Sequence, residues 1–209
     1  MFQDVLSEKT RDVIERIGGG ISRFYLAGGT GLALQLGHRV SEDLDFFSEK
    51  DFEVEAVEAA ITPDKVVSAR PRTLHCVKEG VRLSFLFYDV PLCYPVHSWR
   101  GLNVAAWQDI VAKKIKTVSQ RGSKKDFWDV YSVIKSCSSI GEVGSLFLER
   151  FKGAEINLYH VLKSMVYFED AENEPDPILL PDGKIQDWKR IKQFFEDNIK
   201  QFEKALIMI

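Results

Sequence analysis

The chain has 209 residues, of which 45% are hydrophobic, and it carries a formal net charge of −3. A chain of this length forms one large domain or two small ones, and its hydrophobic content is sufficient for a core. No stretch approaches the roughly 20 apolar residues that cross a bilayer, and the first eight residues lack the basic-then-apolar order of a secretory signal. We therefore expect a cytoplasmic protein with no membrane partner.

The cysteines do not indicate a disulfide framework or a zinc site. Cys76, Cys93 and Cys137 are odd in number and widely spaced. We interpret all three as buried thiols. The four histidines likewise form no spaced cluster.

Apolar patterns in the first half of the chain alternate between the helical and the strand period. In chain order they predict a helix over 7–17, a strand over 21–27, a helix over 30–36, a strand over 43–47, a helix over 52–61, and strands over 65–69, 73–78 and 81–88. Glu79-Gly80 joins the last two strands as a hairpin. The first half therefore predicts a mixed sheet flanked by helices.

Beyond residue 104 the apolar patterns become helical, over 106–120, 123–135, 143–151 and 158–168. Residues 169–183 contain three prolines and predict a loop or linker. From Trp188 to Leu206, apolar residues recur at helical spacing, which favours core packing; the alternative is a surface that binds a partner. The fold class is therefore α+β, with an α/β core over 1–104 and a helical bundle over 105–209.

Two glycines, Gly28 and Gly29, follow a short apolar segment and precede a helix that Thr30 can cap. Glycine lets the backbone turn tightly and approach a ligand closely. A helix N-terminus attracts phosphate oxygens. The pattern predicts a loop that cradles phosphates.

Two aspartates, Asp43 and Asp45, lie on the next predicted strand, where alternation puts both carboxylates on one face. Mg²⁺ prefers hard oxygen ligands and needs only one or two carboxylates beside substrate phosphates. Aspartates at strand ends also cap or solvate the backbone, which is the plainer explanation. The order strand, turn, helix, strand instead favours a site for divalent cations and a nucleoside triphosphate.

A basic segment, residues 113–125, holds six cations and no acid. Helical spacing places Lys114 and Arg121 on a common side, so both can face one ligand. Triphosphate or an RNA backbone could use such a segment. For Lys116 and Lys124 we expect an ordinary solvated position.

The residues after this segment predict a second helix. Ser123 can cap it, and Asp126 is at the position where an acid completes a capping box or meets the helix dipole. From the helix rules alone, Lys125 and Asp129 form a surface ion pair and Lys114 is solvated.

These segments resemble a known family. Residues 28–39 followed by 41–47 are similar to the first motif of the AbiEii/AbiGii-type nucleotidyltransferase toxins, a branch of the polymerase-beta-like nucleotidyltransferase superfamily. Residues 109–115 and 121–131 resemble the later lysine helix of that family and its Arg…Lys-Asp-x-x-Asp element. The two motifs occur in the expected order.

The resemblance implies a nucleotidyltransferase-like core and a helical region that completes the active site. Lys114 would meet the triphosphate, and Asp126 would complete the catalytic centre. The implied site comprises catalytic Asp43, Asp45, Lys114 and Asp126, metal-binding Asp43 and Asp45, and nucleotide-binding Gly28, Gly29, Thr30, Arg121 and Lys125.

One position departs from the superfamily pattern, which has a third carboxylate on a later strand. Ser84 stands at the corresponding position, and serine is a poor base and an indifferent metal ligand. Asp89 would lie on the opposite face of a regular strand. Either Asp126 supplies the missing acid, which we prefer, or the protein binds nucleotide without efficient transfer.

The resemblance implies an enzyme that uses Mg²⁺ to move a nucleotide from an NTP to a hydroxyl acceptor, with RNA such as a tRNA 3′ end as the acceptor. An antitoxin encoded nearby would be a further partner. Two alternatives remain: an enzyme that modifies a small molecule, as in antibiotic-adenylating relatives, and a non-catalytic nucleotide-binding module, suggested by Ser84.

Overall fold

The computed structural model describes residues 1–180 and 187–208. The chain divides into two compact units, Met1–Ala106 and Trp107–Ile209. The first unit is mixed α/β and the second is helical. Within the described ranges, no helix combines the length and apolar character that a membrane crossing requires.

The first unit, all of whose residues are described, contains seven strands and three α-helices. The strands are β1 (Tyr25–Leu26), β2 (Leu44–Ser48), β3 (Lys65–Arg70), β4 (Thr73–Lys78), β5 (Val81–Phe87), β6 (His97–Trp99) and β7 (Leu102–Val104). The helices are α1 (Glu8–Ile17), α2 (Gly28–Leu36) and α3 (Val54–Ile61), with short 3₁₀ turns over Gln3–Val5 and Gly18–Gly20. The predicted mixed sheet flanked by helices is confirmed.

The strands form one sheet in the order β3-β4-β5-β2-β1-β7-β6. β2 is parallel to β5 and antiparallel to β1, and β1 is parallel to β7. The predicted hairpin joins β4 and β5 through Glu79 and Gly80, whose φ angles of 50° and 75° suit a two-residue type I′ turn. This order makes β2 the central strand.

One face of the sheet is apolar and forms the core of the first unit. Phe46 on β2 and Phe85 on β5 are buried, and their rings stack with centroids 5.1 Å apart. Phe24 packs edge-on against Phe85 and against Phe52. Full burial of such side chains stabilises a fold by roughly 1.5–3 kcal/mol each, so this face fixes the register of β2 and β5.

Local interactions explain where the first unit differs from the predictions. The strand predicted over 21–27 is reduced to β1 because the amide of Phe24 donates to the carbonyl of Ile21 and closes a turn. Thr30 is not a cap: α2 begins at Gly28, and the carbonyl of Ala27 accepts from the amide of Gly31. Strands β6 and β7 were not predicted, because three residues are too few for alternation to be recognised.

The described part of the second unit contains seven helices. They are α4 (Trp107–Arg121), α5 (Lys124–Ser136), α6 (Ile140–Arg150), α7 (Leu158–Ser164), α8 (Glu169–Glu172), α9 (Trp188–Asp197) and α10 (Ile199–Leu206). The C-terminal apolar stripe divides at Asn198, whose side-chain amide donates to the carbonyl of Phe194. Its members Trp188, Phe195 and Phe202 are buried, which confirms core packing.

Two expectations need correction. The loop predicted over 169–183 begins instead as α8, and its residues 181–183 lie outside the described ranges. Cys76 is buried, and desolvation together with nearby Glu58 raises the pKa of its thiol to about 11. Cys93 and Cys137 are exposed, so the interpretation as buried thiols is wrong for both.

Candidate active site

The glycine turn packs directly against one of the two aspartates. Gly28 opens α2 with a φ of +61°, a left-handed conformation that side chains disfavour. A Cβ added to Gly28 would lie 2.8 Å from Oδ2 of Asp45 and 3.3 Å from its Cβ. Both the backbone and the available space therefore require glycine, and the Asp45 carboxylate lies against the start of α2.

Asp43 and Asp45 are held by the central strand. Asp43 directly precedes β2 and Asp45 is its second residue, while the adjacent Phe46 is buried on the apolar face. The hydroxyl of Thr30 donates to the backbone carbonyl of Asp43, and Oγ of Ser41 lies 2.8 Å from the same hydroxyl. Thr30 thus ties α2 to the segment that enters β2.

An arginine on the neighbouring strand holds Asp43. Nε and Nη2 of Arg82 donate to Oδ1 and Oδ2 of Asp43 at 2.7 and 3.1 Å, a two-pronged geometry. This hydrogen bonding and the charge of Asp43 raise the pKa of Arg82. The Arg82 side chain is largely exposed and the Asp43 side chain about half exposed, so the pair contributes at most about 1 kcal/mol and either partner can bind another ligand instead.

Three polar side chains lie side by side across adjacent strands and form what we term the polar row: Asp45 on β2, Ser84 on β5 and His75 on β4. Asp45 pairs with Ser84, and Ser84 pairs with His75, in the register of the sheet. Nδ1 of His75 lies 3.1 Å from Oγ of Ser84. All three residues are half-buried. Ser84 therefore stands beside Asp45, with a hydrogen-bonded histidine behind it.

A second arginine lies against the glycine turn. Arg39 is 2% exposed, its Nη1 donates to the carbonyl of Val40 at 3.1 Å, and a Cβ added to Gly29 would collide with its Nη2. The guanidinium adds positive charge to a helix N-terminus that is already electropositive. This arrangement suits an anionic group.

Three residues at the site, Arg82, His75 and Arg39, were not predicted from the sequence. Arg82 and His75 reach the site through strand pairing, which local patterns do not reveal. Arg39 follows α2 by three residues and ends the segment 28–39 that resembles the first family motif, which was the only indication in the sequence.

The donor set of Asp43 and Asp45 fits Mg²⁺. In the described parts of the chain, no group of three or more His, Cys, Asp or Glu side chains is arranged to hold a metal ion. Mg²⁺ does not require such a group, because one or two carboxylates together with substrate phosphates and water complete its shell. The turn at Gly28 places a helix N-terminus, which attracts phosphate oxygens, against Asp45.

In the second unit, Asp126 is the centre of an ion cluster and is itself fully buried. Its carboxylate accepts from Nζ of Lys114 at 2.7 Å, Oγ of Ser123 at 2.8 Å and Nε of Arg121 at 3.0 Å. Nζ of Lys114 also lies 2.6 Å from Oδ2 of Asp129. Burial raises the pKa of Asp126, but Lys114 and Arg121 outweigh it and hold that pKa below its ordinary value.

The ion cluster around Asp126 differs from what the helix rules alone predict for Lys114 and Asp129. Lys114 is buried rather than solvated, and Asp129 pairs with it. Lys114 and Arg121 do face one group, as their spacing predicts, and that group is the carboxylate of Asp126. Ser123 is the N-cap residue of α5, yet its hydroxyl donates to the Asp126 side chain rather than accepting from the backbone.

The lysines beside Asp126 differ from one another in exposure. Lys125 is exposed. Lys124, which we expected to be solvated, is buried, and its Nζ lies 3.1 Å from Oδ1 of Asp176. The basic segment therefore offers fewer cations to a polyanion than its composition indicates.

The structure groups the sequence-predicted residues in two places. In the first unit it brings together the glycine turn and the aspartates: Gly28, Gly29, Thr30, Asp43 and Asp45. In the second unit it joins Lys114, Arg121 and Asp126, with Lys125 exposed one residue before Asp126. The functional roles that the resemblance implies for these residues stay predictions.

Comparison with known protein families points to nucleotidyl transfer. The sequence model of one protein family, the nucleotidyl transferase AbiEii toxin of a type IV toxin–antitoxin system, matches residues 17–88. That range contains the glycine turn, both aspartates and the polar row. An uncharacterised protein of Aquifex aeolicus (strain VF5) is 31% identical over 209 residues, covering 94% of this chain and 97% of that protein.

Solved structures share the fold. The nucleotidyltransferase toxin MenT4 of Mycobacterium tuberculosis H37Rv has a TM-score of 0.54 at 17% identity, covering 95% of this chain and 88% of that one. JHP933 of Helicobacter pylori has a TM-score of 0.51 at 18% identity, covering 95% of each chain. At these identities, the likeness shows a common nucleotidyltransferase-like fold.

Proposed function

Because this chain belongs to the AbiEii family of nucleotidyl transferase toxins, it is a nucleotidyltransferase, and we propose that it uses Mg²⁺ to move a nucleotide from an NTP to a hydroxyl of RNA. The observation that carries the proposal is the contact between the Gly28 turn and Asp45. It sets a carboxylate beside a helix N-terminus, where a phosphate chain and a cation can meet.

In this proposal, the role of each candidate site residue in the first unit follows from its position. Asp43 and Asp45 hold Mg²⁺, which when bound neutralises phosphate charge and orients the oxygens that attack and leave. The backbone amides of Gly28 and Gly29 face the phosphates, and Thr30 keeps α2 in place against β2. Catalysis is then mostly positioning and charge neutralisation.

Arg82 sets a condition on binding at this site. Its guanidinium forms an ion pair with Asp43. A cation that binds Asp43 must displace at least one of the two hydrogen bonds. A displaced guanidinium is then available to a phosphate group, because arginine binds phosphate and carboxylate with the same two-pronged geometry.

RNA, and a tRNA 3′ end in particular, is the proposed acceptor. The toxin family supports this choice, as do the exposed cations of the basic segment, Lys125 and the Arg121 that is paired with Asp126. A small-molecule acceptor would need no such cations. An NTP-binding module without turnover is the remaining candidate, because Ser84 stands where the superfamily has an acid.

The test is incubation of the purified protein with each α-³²P-labelled NTP, Mg²⁺ and total tRNA. We expect label in the RNA with the native protein and none with Asp45→Asn, which preserves the size of the side chain. Glu42→Gln is the matched control, because it removes an exposed acid from the same segment. No transfer from any NTP, or equal transfer by Asp45→Asn, would refute the proposal.

A toxin of this kind should also have a protein partner. We propose an antitoxin encoded in an adjacent reading frame. Induced expression of the chain alone should arrest growth, and Asp43→Ala or co-expression of the neighbouring frame should relieve the arrest. Growth arrest that persists with Asp43→Ala would contradict the proposal that nucleotidyl transfer causes the arrest.

A further inference from the structure

We propose that Ser84 and His75 form a proton relay that accepts the proton of the acceptor hydroxyl beside Asp45. The inference rests on the proposed function and assigns a proton acceptor to it. The relay occupies the position where Ser84 replaces an acid, so the histidine, rather than Asp126, supplies the missing base.

The register of the sheet builds the relay. Ser84 is the neighbour of Asp45 on one side and of His75 on the other. Nδ1 of His75 lies 3.1 Å from Oγ of Ser84, within hydrogen-bond reach for proton transfer. The three side chains share the sheet face opposite Phe46 and Phe85. A hydroxyl group held beside Asp45 would therefore meet Ser84 first and His75 through it.

The other polar groups on this face are poorly suited to accept the proton. Asp43 pairs with Arg82, and in the proposed function both aspartates would hold the cation. A carboxylate that holds a cation or an arginine is a weak base, whereas a neutral imidazole accepts a proton readily around neutral pH. The charged groups that share this face with His75 are Lys65 and Arg70 on β3, Arg82 on β5, and Asp43 and Asp45 on β2.

In the proposed step, transfer of the nucleotide is coupled to transfer of one proton. The acceptor oxygen attacks the α-phosphorus, and the bond from that phosphorus to the pyrophosphate oxygen breaks, so the electron pair leaves with pyrophosphate. The proton of the acceptor hydroxyl passes to Oγ of Ser84 while the Ser84 proton passes to Nδ1 of His75. The products are the nucleotidylated acceptor, pyrophosphate and an imidazolium that later releases its proton to water. Ser84 touches the acceptor, and His75 is a positioning residue that acts through it.

The proton relay is tested by measuring the pH dependence of label transfer by the native protein, His75→Gln and Ser84→Ala. Positioned acid–base groups contribute about 100-fold or more, so both variants should lose at least that factor at pH 7. The native rate should fall when acid protonates the imidazole of His75, because the relay then has no proton acceptor, and His75→Gln should lose this dependence. Ser68→Ala is the matched control, because Ser68 is the opposite neighbour of His75, on β3.

Long-range ¹H–¹⁵N NMR of the histidine rings adds a measurement that does not depend on turnover. The relay requires neutral His75 to carry its proton on Nε2, leaving Nδ1 to accept from Ser84. Protonated Nδ1 in the neutral ring overturns the relay, as does native transfer that His75→Gln leaves unchanged in rate and pH profile. No transfer by the native protein at any pH overturns the proposed function itself, so the two failures are distinguishable.

Discussion

Replacing Gly28 by alanine tests the contact on which the candidate site depends. Gly28 has a φ of +61°, and its added Cβ would lie 2.8 Å from Oδ2 of Asp45. Left-handed backbone costs a non-glycine residue about 1–2 kcal/mol, so the free energy of unfolding should fall by about that amount. The carboxylate must also move, because the new methyl group occupies its space. A misplacement of about 1 Å lowers catalytic rates about 100-fold.

Gly101→Ala is the matched control for the backbone. Gly101 has a φ of +78°, and the nearest heavy atom to its added Cβ is the carbonyl carbon of Gly18, at 4.0 Å. Both variants should therefore lose similar stability in urea unfolding. Only Gly28→Ala should lose about 100-fold in label transfer, which corresponds to roughly 2.7 kcal/mol.

Equal transfer rates for the two variants would refute this reasoning. Such a result would mean that the carboxylate of Asp45 can move without loss of activity. The glycine would then be required only for its backbone conformation.

Three further predictions concern stability and reactivity. Lys114→Met removes the buried partner of Asp126 and should lower the free energy of unfolding, measured by tryptophan fluorescence in urea, by about 3–5 kcal/mol. Lys125 is exposed, and Lys125→Met should change this free energy by less than about 0.5 kcal/mol. A similar loss in both variants would contradict the buried ion pair of Lys114. Because the folded-state pKa of Asp126 is lowered, its stabilising charge is fully present above the unfolded-state pKa of about 4 and is lost as the pH falls through the folded value. Asp126→Asn should therefore reduce the fall in the free energy of unfolding at acid pH. An unchanged fall would show that the ion cluster does not cause it. Cys93 should react with an aromatic disulfide reagent in the native protein and Cys76 only on unfolding; equal native rates would contradict this.

Local patterns were sufficient to predict the elements that carry the glycine turn and the aspartates. Two-residue alternation located the strand that holds Asp45, and the Glu79-Gly80 pair located the hairpin. Both depend on neighbours in sequence. The face shared by Asp43 and Asp45 follows from the same alternation.

Contacts between distant segments could not be predicted in this way. Arg82 reaches Asp43 across 39 residues of sequence, because β5 pairs in parallel with β2. His75 enters the polar row for a similar reason. The burial of Lys114 was missed because helix rules consider only the spacing within one helix, whereas its partners Asp126 and Asp129 lie on the next.

The central position of β2 couples correct folding to chemistry. Side chains alternate along the strand, so a slip of one residue against β5 would bring Phe46 beside Ser84 and drive Asp45 among the aromatic rings. Such a slip would lose apolar burial and enclose an uncompensated negative charge, each of which is unfavourable. Molecules with this misalignment are therefore both unstable and inactive. The same two-residue alternation that builds the core thus prevents the chain from folding stably with Asp45 out of place.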